Sequence, residues 1–355
     1  MIKLLPAAKL ATYLALAAFA FGLFSAGQAL AEQPANLRTY VPETVSKGWR
    51  AVIEAYPDPT QAPPLPAPDA LEGWKKVQDA LHGERSEASE QAAEAFEVTI
   101  EPGTLGRVPV LDIKPKGWTD NGKILVYTHG GAYVALTART TLGSSALAAA
   151  RTGLRVISVD YTLAPHSKWQ QTTDEVVAVF KALMDQGFAM KDIAIYGDSA
   201  GGGLAAGAVL KIRDLGMGMP AAVVLWSPWA DITETGDSYV TLRDAEPVYT
   251  YKNTLGPSAA AYADPADQKH PYVSPVYGDF TKGFPPTLIQ GGTKEIFLSN
   301  FVRLYQALDT AGQTVTLDLY EGMPHVFQPR LPDSPEARIA LAKMDAFLKQ
   351  YLGKK

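Results

Sequence analysis

The chain predicts an α/β fold, with helices on both faces of a mostly parallel, doubly wound sheet. Short apolar runs at Lys123–Tyr127, Arg155–Val159, Ile193–Tyr196, Ala221–Trp226 and Thr287–Gln290 read as strands buried on both faces. Helix-like stretches at 141–151, 172–184, 200–215 and 300–311 separate most of them. The third observation is the passage from Ile193–Tyr196 straight through a glycine-flanked serine into Leu204–Leu210, which reads as strand, sharp turn and helix.

Taken in order, the chain opens with Lys3 and Lys9 ahead of an apolar run from Leu10 to Leu23, followed by Ala29-Leu30-Ala31. A positive start, an apolar middle and small residues at a cleavage point predict a secretory signal over residues 1–31. A membrane anchor is the alternative reading of the same run. With the leader removed, the expected protein is exported, periplasmic or secreted, with no stable membrane span. Residues 32–93 are rich in proline and alanine, with room for helices only near 43–55 and 70–81. Trp49, Tyr56, Leu71 and Trp74 are too apolar for a solvated tail, so this segment is expected to fold over the main domain as a cap.

The core is expected in two parts, 94–230 and 271–355. Residues 96–100 and 108–113 alternate apolar and polar as an antiparallel pair would. Residues 315–320 supply a last strand and 335–351 a closing helix. Between the two parts, 231–270 is a long polar and aromatic excursion, read as a second cap segment because long loops in compact domains are usually functional.

Composition narrows the function classes. The 355 residues are 47% hydrophobic and 19% charged, an ordinary globular balance. Formal net charge is -5, and loss of the leader, which carries two lysines and no acid, makes it more negative, leaving no footprint for nucleic acid. Absence of cysteine removes disulfides, thiolate metal sites and thiol nucleophiles together. Oligomeric state is not legible.

Gly197-Asp198-Ser199-Ala200-Gly201 carries the chemistry. A serine hydroxyl is a poor nucleophile unless a fold exposes it to a base on a strained corner, and glycines two positions either side remove the Cβ atoms that would collide there. Partners follow in the order acid, then histidine. Only His270 and His325 follow Ser199, and His325 lies in a turn after the last strand, placed to act as general base. Glu295, after the strand 287–290, is expected to orient the imidazole, with Asp264 and Asp267 in reserve. Oxyanion donors are expected from the amide of Ala200 and from the turn after the first parallel strand, at Gly130 and Gly131.

His129-Gly130-Gly131-Ala132-Tyr133, the Gly197–Gly201 elbow, Ser227-Pro228-Trp229-Ala230-Asp231, Ser274-Pro275, Pro285-Pro286-Thr287-Leu288-Ile289 and Gly322-Met323-Pro324-His325 occur in this order. Together they resemble the hormone-sensitive-lipase-like (bacterial family IV) esterases of the α/β-hydrolase superfamily. The resemblance, over roughly residues 95–350, implies an eight-stranded α/β-hydrolase fold with a helical cap. It also implies hydrolysis of small carboxylic esters with short acyl chains, and no cofactor. Ala132 stands where the family has a third glycine, and His166 where its Tyr-Arg-Leu-Ala-Pro-Glu segment ends in glutamate. Lactone opening or acyl transfer would use the same residues, and a non-catalytic ligand-binding scaffold is the reading from another class.

Overall fold

Strand residues alternate between two apolar layers, and this alternation builds the architecture. The computed structural model describes residues 36–353; the expected leader, 1–31, lies outside them. Eight strands form one sheet in the order β1-β2-β4-β3-β5-β6-β7-β8: β1 (Val98–Leu105), β2 (Val108–Pro115), β3 (Ile124–Thr128), β4 (Arg155–Val159), β5 (Ile193–Asp198), β6 (Val223–Trp226), β7 (Thr287–Gly292) and β8 (Val315–Tyr320). The β1–β2 and β2–β4 pairings are antiparallel, and the remaining pairings of this sheet are parallel. The β1–β2 hairpin closes through Gly106 and Arg107, both at positive φ (59° and 71°), the conformation a tight two-residue connection demands.

Among the described residues, nine α-helices accompany the sheet: α1 (Lys47–Glu54), α2 (Leu71–Glu94), α3 (Leu142–Thr152), α4 (Trp169–Asp185), α5 (Ala200–Asp214), α6 (Ser238–Thr241), α7 (Gly256–Tyr262), α8 (Leu298–Thr310) and α9 (Pro335–Tyr351). Ile124, Val126, Ile193, Ile195, Val223 and Leu225 face a core shared with α4, α5 and α8. Leu125, Tyr127, Ala194, Tyr196, Val224 and Trp226, their neighbours in sequence, face a second core under α3 and α9. Period-two alternation between two buried faces is what a doubly wound sheet requires.

From Arg38 onward the chain is one compact unit, so the segments before β1 and between β6 and β7 pack into the same body as the sheet. Trp49 of α1 is fully buried with Met323 and Phe327, and its indole N–H donates to Ser334 Oγ at 3.0 Å. Asn253 Nδ2 donates to the carbonyls of Thr60 and Ala62, tying the two segments together. Helix α2 runs well beyond the 70–81 its sequence suggests. The inward face of its second half is built from small residues rather than large apolar ones: Ser89 Oγ accepts the Gly143 N–H at 3.2 Å, and Ala92 abuts Gly143. Apolar periodicity therefore fades while the helix continues.

Candidate active site

Parallel register brings the strand ends together. Thr128 of β3 pairs with Gly197 of β5, Asp198 with Trp226 of β6, and Trp226 with Gln290 of β7, so the loops that follow all leave at one edge of the sheet. Such an edge is where open α/β sheets gather ligand-binding groups.

Ser199 turns the corner from β5 into α5 at φ 57°, ψ −126°. A non-glycine residue held there is strained, and the surroundings hold it: its N–H donates to Trp226 O at 2.9 Å, and its carbonyl accepts from Trp229 N–H at 2.8 Å. Its hydroxyl does not cap the helix. A Cβ on Gly197 would strike the Gly201 carbonyl, and one on Gly201 the carbonyls of Thr128 and His129, so both glycines are required by close approach.

Glu295 and His325 are in contact. The Nδ1 of His325 lies 2.6 Å from Glu295 Oε2, and both side chains are buried. Glu295 Oε1 accepts the Gly292 N–H at 2.6 Å and the Ser227 hydroxyl at 2.7 Å. Ser227 Oγ in turn accepts the Val326 N–H at 3.0 Å, so a single hydroxyl braces both the acid and the histidine loop. Ser227 and Val326 both sit at positive φ (47° and 48°). Tyr249 and Phe297 pack edge-on against the imidazole at centroid distances of 4.8 and 5.2 Å. Burial pushes the Glu295 carboxyl upward against the hydrogen bonds from Gly292 and Ser227. For His325, burial and then the Arg330 guanidinium disfavour the imidazolium, with Asp198 opposing, so the ring rests neutral.

A cavity of about 510 Å³ is lined by both Ser199 and His325. Leu65, Val77 and Leu81 wall it from the N-terminal segment, and Val248, Tyr249 and Leu255 from the excursion. Tyr249 brings an aromatic ring to the cavity wall, while Trp49 and Trp74 are fully buried core.

The oxyanion turn differs in detail from expectation. Gly130 is off the cavity wall and lies against the buried Asp198 carboxylate, which accepts the Tyr127 hydroxyl. Gly131 and Ala132 line the cavity instead, because positive φ at Gly131 (115°), Ala132 (54°) and Tyr133 (66°) winds the chain past Gly130 before it faces inward. Among the described residues, the amides of Gly131, Ala132 and Ala200 have no protein acceptor. His129 anchors this turn from behind, stacked on Tyr161 at 4.1 Å with Nδ1 2.7 Å from Gly130 O.

The reserve residues lie elsewhere. Asp264 pairs with Lys168 at 3.2 Å, Asp267 accepts the Trp169 indole N–H at 2.9 Å, and His270 stacks on Trp169. Ser227 enters the sequence reading only as part of a motif. Its bracing role depends on partners 68 and 99 residues away, which spacing cannot reveal.

Comparison with known proteins agrees with this architecture. Residues 125–329 match the family model described as alpha/beta hydrolase fold. An acetyl-hydrolase of Streptomyces hygroscopicus is 34% identical over 75% of this chain and 89% of its own. An esterase of Acinetobacter venetianus is 33% identical over 70% and 82%. Among solved structures, an esterase superposes with a TM-score of 0.83 at 30% identity, covering 92% of this chain and 99% of that one. An esterase of the bacterial hormone-sensitive lipase family gives 0.70 at 32% identity over 76% and 91%. The chain belongs to the α/β-hydrolase family, in the branch of the hormone-sensitive-lipase-like esterases. It is a carboxylic ester hydrolase.

Proposed function

We propose that Ser199, His325 and Glu295 form the triad of a serine esterase acting on small esters with short acyl chains. The observation that carries this reading is the buried His325–Glu295 contact, which engages Nδ1 and, among the described residues, leaves Nε2 without a hydrogen-bond partner, while His325 and Ser199 line the same cavity. The Ser199 oxygen attacks the ester carbonyl as its proton passes to His325 Nε2, and Glu295 stabilises the resulting imidazolium. Charge on the tetrahedral oxygen falls to the amides of Gly131, Ala132 and Ala200, with Ala132 replacing Gly130 in the expected set. His325 then protonates the departing alcohol, and water, deprotonated by the same imidazole, hydrolyses the acyl-enzyme.

The segments before β1 and between β6 and β7 act as a cap, offering an apolar wall to the acyl or alcohol group. The acetyl-hydrolase named among the relatives supports short acyl chains. Export rests on the leader-like residues 1–31, and sequencing the N-terminus of the protein recovered outside the cytoplasm tests it. Ser199→Ala is expected to abolish turnover of a short p-nitrophenyl ester with an unchanged circular dichroism spectrum, and to abolish labelling by a fluorophosphonate. Retained turnover or labelling in a folded Ser199→Ala protein rejects the nucleophile.

A further inference from the structure

The excursion that walls the cavity also grips the loop bearing the triad acid. Glu246 lies in that excursion and is completely buried, a costly place for a carboxyl group unless its oxygens are engaged. Both are: Oε1 accepts the Val248 N–H at 2.8 Å, and Oε2 accepts the Ile296 N–H at 3.0 Å. Ile296 is the residue after Glu295. Its carbonyl is held from the same excursion by the Ser238 hydroxyl at 2.6 Å, and Ser238 Oγ also takes the Ser299 N–H at 2.9 Å. Beyond Glu246, Val248 and Tyr249 line the cavity, and Tyr249 packs on the His325 ring.

We propose that Glu246 is a positioning residue for Glu295, joining the cap segment that contacts substrate to the loop that presents the triad acid. The cap then sets the angle at which Glu295 meets His325 as well as covering the site. The inference rests on the proposed triad. A carboxylate suits the task because it offers an acceptor to each of two backbone donors that face it from different segments, and no neutral side chain of that length offers two carboxyl-type oxygens.

The test is a double-mutant cycle on the full-length enzyme with p-nitrophenyl butyrate. Glu246→Ala is expected to lower kcat about tenfold with KM within about twofold, since a misplaced acid weakens the transition state more than binding. Glu246→Gln, which keeps one acceptor oxygen, should fall between Ala and wild type. In a Glu295→Gln background the same Glu246→Ala change should cost less than about twofold, because the residue it acts through is already disabled. Equal losses in both backgrounds, or an unchanged kcat, would overturn the proposal. Should Glu246→Ala not fold, Ser238→Ala and Glu246→Gln enter the same cycle, where a loss confined to the Glu295 background supports the coupling and equal losses overturn it. Ser199→Ala separates the two failures: an inactive Ser199→Ala protein beside indifferent Glu246 variants leaves the triad standing and removes only this coupling.

Discussion

Ser227 braces both the acid and the histidine loop from behind the cavity, whose wall it does not line. Removal of its hydroxyl in Ser227→Ala leaves Glu295 with one donor fewer and strands the Val326 amide, a buried loss of about 2 kcal/mol. A lower melting temperature and a reduced kcat are expected together, and a melting curve and activity matching wild type would contradict the bracing role. The ring it serves also sets a pH dependence. Because burial and Arg330 lower the proton affinity of His325, the acid limb of kcat/KM should lie below the ordinary value of about 6.5. Arg330→Gln should move it upward. The sign for stability follows from proton counting: below about 6.5 the unfolded chain protonates this histidine while the folded chain does not, so its contribution is lost as pH falls. Titrating activity and melting temperature from pH 8 to 5 tests both, and a limb above 6.5 in the wild type would refute the shift. Ser199 and His325 are legible as residues because their types are scarce or their motifs short. Ser227 is not, because its importance is a matter of what it meets.

At the scale of elements, the elbow depends on how closely β5, α5 and β3 approach. A methyl group at Gly201 would enter the carbonyls of Thr128 and His129, which are main chain and cannot swing aside. Gly201→Ala is therefore expected to cost about 3 kcal/mol and to disable the site, read as a fall in denaturation midpoint alongside lost turnover. A midpoint within error of wild type would mean the strands have slack there. The strands β4 and β8 run over the residues their patterns suggest, because buried strands must be continuously apolar or strictly alternating. Helix α2 outruns its pattern, since its second half packs through alanine and serine, whose burial leaves no hydrophobic trace. The turn after β3 is legible as a glycine-rich loop, but that Ala132 rather than Gly130 lines the cavity depends on dihedral angles that composition does not encode.

For the whole molecule, the N-terminal segment from Arg38 onward packs in the same compact unit as the sheet and against its histidine loop. Trp49 fills the space beside Met323 and Phe327, the residues flanking the Pro324–Val326 turn. Trp49→Ala should therefore destabilise the entire unit by about 4 kcal/mol in a single transition. Calorimetry showing an early, separate transition for the N-terminal segment would instead make it an independent lid.

The sequence alone determined the layered α/β class, the order of strands and helices, and the identities of Ser199, Glu295 and His325 as candidates. Each of these is written locally, in alternation of apolar residues, in glycine spacing, or in the scarcity of histidine. Tertiary structure decided which residues of the glycine turn line the cavity, that Ser227 joins two loops, and that Glu246 reaches the loop of the acid. Those facts are distances between residues far apart in the chain, and they exist only once the parallel register has brought the strand ends to one edge.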